Sequence, residues 1–198
     1  MKIIIVGASG TIGKKITAAL KDKHEIITAG SKSGDLQLDI TDTGSVEAFY
    51  EKTGSFDALI CAAGAGHFGL LKTTTPEDFR KGIDSKLMGQ VNLVLIGQHY
   101  INPNGSFTLT SGILSNDPVL NCANLSTVNG AINSFVIAAA IEFENNIRIN
   151  AVSSGVVEDS PEYFDVMPGH VPVSMDRVVA GYIKSVLGAG TGKVIEIF

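Results

Sequence analysis

The sequence predicts an α/β protein: a doubly wound parallel sheet lies between two layers of helices, in one domain over residues 1–198. Short β-branched runs alternate with longer segments whose apolar residues recur at helical spacing. The run at 56–62 is almost continuously apolar, which is typical of a central parallel strand. Such alternation requires crossover connections that place helices on both faces of the sheet.

The elements follow from these patterns in chain order. Predicted strands span residues 2–6, 25–29, 35–38, 57–62, 105–110, 147–152 and 193–197. Predicted helices span residues 11–22, 43–53, 76–99, 123–144 and 174–187. The helix at 123–144 is nearly free of charge and apolar on most sides, so we expect it to be covered by the rest of the monomer or by a partner subunit.

The least regular segment, at 156–172, contains three prolines and a glycine. Its position near the end of the sheet is typical of a short lid over a site. An ordinary long connection fits the same composition, and both interpretations stay open at this point.

Composition narrows the classes of partner. A net charge of −5 disfavours nucleic acid and anionic membranes as the main partners. Cys61 and Cys122 match no metal-ligand spacing, so we expect no metal site. The apolar run at the N-terminus has five residues and ends at glycine, and we expect no stretch to approach the length of a membrane span. We therefore expect a cytoplasmic protein.

A glycine-rich turn follows the first strand and opens the first helix. Its sequence is Gly7-Ala-Ser-Gly-Thr-Ile-Gly13. Gly7 permits a tight turn, Gly10 lets a pyrophosphate approach the backbone, and Gly13 lets the helix pack on the strand. The helix N-terminus offers free N–H groups to phosphates. The predicted cofactor-binding residues in this turn are Gly7, Ser9, Gly10, Thr11, Ile12 and Gly13.

Together with three later motifs, this turn resembles the short-chain dehydrogenase/reductase family over essentially the whole chain. The motifs are Asp39-Ile40, Cys61-Ala-Ala-Gly64 and Ile147-Arg-Ile-Asn-Ala-Val-Ser-Ser-Gly155, the last with Ser154 in place of the family's proline. The resemblance implies a Rossmann-type three-layer fold and a nicotinamide dinucleotide cofactor. It also implies that the cofactor contacts Asp39, Ile40, Ala62, Ala63, Gly64, Gly155 and Val157.

The residues after the second predicted strand favour NADP(H) over NAD. An acid about twenty residues beyond the glycines would bind the ribose hydroxyls of NAD. Here the strand ends in Gly30-Ser-Lys-Ser33, without an acid. Ser31 can donate hydrogen bonds and Lys32 supplies a positive charge for a 2′-phosphate.

The family's catalytic residues are only partly present. The resemblance implies a serine, which Ser111 matches, and a Tyr-x-x-x-Lys pair on the following helix. The matching positions hold Leu125 and Asn129, which cannot replace that pair. None of the four tyrosines is followed by a lysine four residues later.

A second departure concerns the preceding long helix. Lys86 stands where the family often has an asparagine, so Lys86 and Asn129 have the two residue types exchanged. The exchange would keep a positive charge beside the cofactor. Alternatively, Lys86 points to solvent, and the exchange of residue types has no functional role. The proton donor is open among water, His67 and Cys122.

Two functions follow from these residues. The first is an NADP(H)-dependent oxidoreductase that acts on a small carbonyl or alcohol with catalytic residues Ser111, Lys86 and Asn129. The second is a non-catalytic NADP(H)-binding or sensing module. The family usually assembles through its two long helices, so we also expect a homodimer or homotetramer.

Overall fold

The computed structural model describes all residues from Met1 to Phe198. The strands are β1 (Lys2–Val6), β2 (Glu25–Gly30), β3 (Leu36–Gln37), β4 (Phe56–Cys61), β5 (Ile101–Thr110), β6 (Arg148–Ser154) and β7 (Lys193–Ile197). The helices are α1 (Thr11–Leu20), α2 (Thr43–Thr53), α3 (Pro76–Gly82), α4 (Gly89–Gly97), α5 (Ala123–Glu142) and α6 (Met175–Leu187).

All seven strands form one parallel sheet in the order β3-β2-β1-β4-β5-β6-β7. The order reverses between β1 and β4, and in such sheets ligands bind at the carboxyl ends of the strands at this point. The predicted doubly wound, Rossmann-type fold is confirmed.

Two apolar layers hold the helices to the sheet. One lies under α2, α4 and α5 and contains Tyr50, Phe56 and Phe107. The other lies under α1 and α6 and contains Ile16, Val178 and Tyr182. Because β1 and β4 contribute side chains to both layers, their carboxyl ends are fixed from both sides of the sheet.

The helix predicted at 76–99 is wrong in one respect, because it is not continuous. A π-helical turn at Ile83–Met88 separates α3 from α4. In this turn the amide of Gly89 donates to the carbonyl of Asp84, five residues earlier. Such turns occur frequently at functional sites, and the periodic apolar pattern does not reveal the extra residue.

Helix α5 is less covered than its composition predicts. Ile141 is 84% exposed and Ile137 is 51% exposed, so one face of α5 is open in the monomer. The expectation that no stretch approaches a membrane span is also wrong by composition, since α5 has the length and the mean hydropathy, 1.2, of a candidate span. One such helix is weak evidence for a membrane protein, and α5 packs against β5 and β6.

The segment at 156–172 is a loop whose two ends are joined by backbone hydrogen bonds. Val157 and Val173 form a parallel bridge, and the amide of Glu158 donates to the carbonyl of Val173. Within the loop, Met167 and Phe164 pack on Ile113. The loop therefore rests against the segment that follows β5.

Candidate functional site

The glycine turn leaves the N-terminus of α1 open. Gly10 caps the helix without a side-chain hydrogen bond, and the first turn carries no acid. Gly7 has φ +82°, and a Cβ there would lie 2.7 Å from the carbonyl oxygen of Ala62. A Cβ at Gly13 would collide with the carbonyl oxygen of Gly7. The two glycines thus allow a close packing that leaves free N–H groups and a positive dipole end facing outward.

A cavity of about 160 Å³ lies on one side of this turn, at the ends of β1, β2 and β4. Its lining includes six of the predicted cofactor residues or their neighbours: Gly30, Ser31, Asp39, Ile40, Ala63 and Gly64. Ile40 is buried and Asp39 is exposed. The carboxylate of Asp39 accepts hydrogen bonds from the amide and hydroxyl of Thr41, which hold its pKa below the usual range.

The loop after β2 contains an acid that the sequence argument overlooked. The carboxylate of Asp35 accepts hydrogen bonds from the amide and hydroxyl of Thr28, at 2.9 and 2.8 Å. These bonds hold the pKa of Asp35 below its usual range. Asp35 is therefore bound to β2 and does not line the cavity. Ser31 lines it, whereas Lys32 is exposed beside it in sequence.

A second cavity of about 220 Å³ lies on the other side of the turn, near Ile12. Its walls are mainly apolar: Ile12, Ile113, Leu114, Val156, Val157 and Met167. Gly155 and Asn129 also line it, as does Tyr163 from the loop at 156–172. The structure therefore gathers Ile12, Asn129, Gly155 and Val157, which the sequence argument selected from separate parts of the chain.

Ser111 and Asn129 meet beside the second cavity. Ser111 follows β5 directly, is 5% exposed, and donates from its Oγ to the backbone carbonyl of Asn129 at 3.1 Å. The Asn129 side chain is buried, and its Oδ1 has no hydrogen-bond partner. A buried acceptor without a partner is costly, so this oxygen is suited to a donor group on a ligand.

Lys86 lies in the π turn, against the Cys-Ala-Ala-Gly turn. A Cβ at Gly64, whose φ is +121°, would lie 2.8 Å from the Cα of Lys86. Loss of hydration lowers the pKa of Lys86 to about 8, although the neighbouring Cys61 thiol acts in the opposite direction. Lys86 forms no salt bridge and lines neither cavity. The π turn does pack against α5, which carries Asn129.

Leu125 and His67 lie outside both cavities. Leu125 presses on the loop after β4, so that a Cβ at Gly66 would collide with its side chain. The amide of His67 donates to Oδ1 of Asn124 at 2.8 Å, and its ring lies over Gly69. Neither side chain forms a hydrogen bond to Ser111, whose hydroxyl bonds to Asn129.

Two residues near the site had no role assigned to them from the sequence. Tyr163 is the one tyrosine that lines the second cavity; it belongs to the segment predicted as a lid, and no motif distinguishes it from the other aromatic residue there. Gln90 is fully buried and bonds to Lys86 and Thr110. A lone glutamine on an apolar helix face is a signal for a buried network, but its partners depend on the tertiary structure.

The strand order, the open helix N-terminus and the flanking cavities define a dinucleotide-binding α/β protein. A family model described as enoyl-(acyl carrier protein) reductase matches residues 7–163. The chain belongs to the short-chain dehydrogenase/reductase family of oxidoreductases.

Individual relatives agree with this family. An uncharacterized oxidoreductase from Methylorubrum extorquens is 26% identical over 178 residues, covering 78% of this chain and 72% of the relative. Versicolorin reductase from Emericella nidulans is 29% identical over 147 residues, and the match covers 71% of this chain and 56% of the reductase. This chain thus spans little more than half the length of that reductase.

Two solved structures cover the whole chain. A protein from Listeria innocua is 43% identical, with a TM-score of 0.98 and full coverage of both chains. A small-chain dehydrogenase in complex with NADPH is 27% identical, with a TM-score of 0.89, and this chain covers 96% of it.

Proposed function

We propose that this chain is an NADP(H)-dependent oxidoreductase that acts on a small carbonyl or alcohol. The observation that carries the proposal is the position of two cavities on either side of the open N-terminus of α1, at the point where the strand order reverses. Asp39 and Ile40 would hold the adenosine end of the cofactor, and the glycine turn would hold its pyrophosphate. The nicotinamide end would lie against Ile12, Gly155 and Val157.

Two observations support NADP(H) as the cofactor. Asp35 is held by Thr28, so no free carboxylate faces the adenosine cavity from the loop after β2. Ser31 lines that cavity and Lys32 is exposed next to it, which suits a 2′-phosphate. The small-chain dehydrogenase described above, which has this fold, was solved with NADPH.

The residues near the second cavity would share the chemistry. A bound NADPH supplies the hydride. The Ser111 hydroxyl would exchange its bond to the Asn129 carbonyl for one to the substrate oxygen. The unpaired Oδ1 of Asn129 would accept a hydrogen bond from the ligand, and Lys86 would add positive charge behind the Gly64 turn.

The proton would come from water or from Tyr163. His67 lines neither cavity, which disfavours it. Cys122 bonds to the carbonyl of Val119 and to Ser126, away from the cavity lining. The hydroxyl of Tyr163, by contrast, belongs to a side chain of the cavity wall, and a phenol is a competent general acid.

An assay of NADPH oxidation on a panel of small apolar aldehydes and ketones tests this function. We expect turnover that Ser111→Ala lowers by about 10²-fold or more, the usual loss for one positioned donor. Tyr163→Phe, which keeps the ring but removes the hydroxyl, separates the phenol from water as proton source. Thr127→Ala, an exposed hydroxyl on α5, is the matched control. Turnover that Ser111→Ala leaves unchanged would contradict the proposed site.

The second candidate is a non-catalytic NADP(H)-binding module. The observation that favours it is that Leu125 and Asn129 occupy the positions of the family's tyrosine and lysine, with Leu125 packed on Gly66. NADPH binding without turnover on any carbonyl or alcohol would favour this function. The cytoplasmic location, the homo-oligomer and the exclusion of nucleic acid, membrane and metal stay predictions.

A further inference from the structure

One fully buried side-chain amide, that of Gln90 in the first turn of α4, is engaged at every polar position. Its Nε2 donates to the carbonyl of Lys86 and to the carbonyl of Thr110, both at 2.9 Å. Its Oε1 accepts from the amide of Thr110 at 2.8 Å. An amide with two N–H groups and one carbonyl has no free donor left in this arrangement.

At Thr110 the side-chain amide of Gln90 makes the hydrogen bonds that a neighbouring strand would otherwise make. The last backbone-paired residues of β4 and β5 are Ile60 and Thr108, so no β4 backbone pairs with Thr110, although the Thr110 hydroxyl donates to the carbonyl of Cys61. Gln90 bonds to both backbone polar groups of Thr110, as a neighbouring strand would. The end of β5, immediately before Ser111, is fixed in this way.

At Lys86 the amide stabilises the π turn. The wider turn pairs the Gly89 amide with Asp84, and the Gln90 side chain donates to the Lys86 carbonyl four residues back. The backbone that carries the Lys86 side chain is therefore joined to the end of β5. A second bond, from the amide of Ala65 to Ser85 Oγ, ties the same turn to the loop after β4.

We propose that Gln90 is a positioning residue that fixes the relative placement of Lys86 and Ser111. The hydrogen bonds run from Lys86 through Gln90 to Thr110, and from Ser111 to Asn129, so the π turn, α4, the end of β5 and α5 share one framework. The catalytic meaning of this framework rests on the function proposed above. A merely space-filling residue at 90 would not need a polar group in an otherwise apolar layer.

The test is a ¹³C-lysine NMR titration of the full chain, with Lys86 assigned from Lys86→Met. In the wild type we expect Lys86 to titrate near pH 8. Gln90→Met keeps an unbranched side chain and removes all three bonds. We expect it to raise the Lys86 midpoint toward the ordinary 10.5, because the released turn lets the ammonium reach water. A purely structural role would lower Tm and leave the midpoint unchanged, which would overturn the proposal.

Further measurements keep the outcome decisive. Gln98→Met, on the exposed end of the same helix where the amide bonds only to Leu95, should move nothing. If Gln90→Met does not fold, hydrogen exchange in the wild type decides: the Gln90 side-chain N–H groups should exchange slowly, and fast exchange would overturn the proposal. Failure of the wild type to bind NADPH would instead remove the proposed function, while the effect of Gln90 on Lys86 would still be measured.

Where the panel yields a substrate, Gln90→Met should lower kcat by about 10–100-fold, the usual result of small displacements of catalytic groups. The KM for NADPH should change less than kcat, since Gln90 itself lines neither cavity. An equal loss in kcat and in NADPH affinity would count against a positioning role.

Discussion

The hydroxyl of Ser111 donates a 3.1 Å hydrogen bond to the backbone carbonyl of Asn129, which joins the end of β5 to the middle of α5. The bond places residue 129 beside the serine, where the family resemblance puts a lysine. The side chain found there is instead a buried amide with an unpaired oxygen. The exchange of residue types between positions 86 and 129 therefore concerns two elements that pack together.

Restoring the family's pair should raise activity. Leu125→Tyr with Asn129→Lys places an acid and a lysine one helical turn apart, and Lys86→Asn removes a second positive charge. We expect the triple variant to exceed the wild type in NADPH-dependent carbonyl reduction by ~10²–10⁴-fold, the effect of a positioned acid. It should also lose about 1–3 kcal/mol of stability, because Leu125 already presses on Gly66. Steady-state rates and denaturant unfolding check both, with Asn129→Lys alone as control.

A triple variant that binds NADPH and a carbonyl but gains no activity would show that residues 125 and 129 do not face the reacting groups. The position of Leu125 outside the second cavity makes this a stringent test.

The glycine turn should tolerate no side chain at its centre. A Cβ at Gly10 would lie 3.3 Å from the Gly7 carbonyl oxygen, and the two further methyl groups of valine would extend into the space a pyrophosphate needs. Gly10→Val should weaken NADPH binding more than about tenfold, or ~1.4 kcal/mol, with the fold retained since Gly10 is exposed. Isothermal titration calorimetry and circular dichroism measure the two properties.

Gly130→Ala is the matched control for this variant, since a Cβ at Gly130 meets nothing within 4 Å. It should bind NADPH like the wild type and gain roughly 0.5–1 kcal/mol of stability in the helix. Equal NADPH affinity in Gly10→Val and Gly130→Ala would reject the assignment of this turn.

Lys32 should set the preference for the phosphorylated cofactor. Lys32→Glu replaces a favourable charge by a repulsive one near the 2′-phosphate, so we expect NADPH affinity to fall roughly tenfold more than NADH affinity. Lys23→Glu, an exposed lysine before β2, controls for net charge. Equal losses of affinity for NADPH and NADH would show that Lys32 does not recognise the 2′-phosphate.

The loss of hydration at half-buried Lys86 should make stability depend on pH. Its folded pKa, about 8, lies below the unfolded value of 10.5, so the unfolded state binds more protons between these values and stability rises with pH there. The cost of burial is fully present below pH 8. Lys86→Met should therefore be more stable than the wild type at pH 7, and this difference should shrink toward pH 10.5. Urea unfolding across this range measures it; a pH-independent difference would contradict the burial of the charge.

The open face of α5 should form a subunit interface. Ile137 and Ile141 lie one turn apart on this helix, and Leu95 on α4 is 48% exposed. We expect at least a homodimer, and Ile141→Glu should shift it to monomer because burying a carboxylate is costly. Light scattering at micromolar concentration reports the mass, with Leu120→Glu on an exposed loop as control. A monomeric wild type would contradict this prediction.

The fold was predictable because local patterns decide it. Gly7, Gly10 and Gly13 mark the strand–turn–helix, and the apolar run at 56–62 marks a central strand, so the sheet and its switch point follow. The cavity residue Ile12 belongs to the glycine turn, whereas Gly155 and Val157 were predictable only through the family resemblance, since they lie far from that turn in the chain.

The remainder depends on tertiary context. The π turn at Ile83–Met88 adds one residue to a helical turn without disturbing the apolar repeat. Two of the three bonds of Gln90 join residues 20 positions apart, and Asp35 is held away from the cofactor side by its bonds to Thr28. The exposure of Ile141 depends on what α5 packs against, which composition does not specify.

Direct titration of the wild-type chain with NADPH and with NADH tests the central claim most directly. We predict saturable binding of both by calorimetry, with the higher affinity for NADPH, and binding weakened more than about tenfold in Gly10→Val. Absence of binding to either dinucleotide by the folded wild type would contradict the assignment of the crevice between β1 and β4 as a nicotinamide cofactor site.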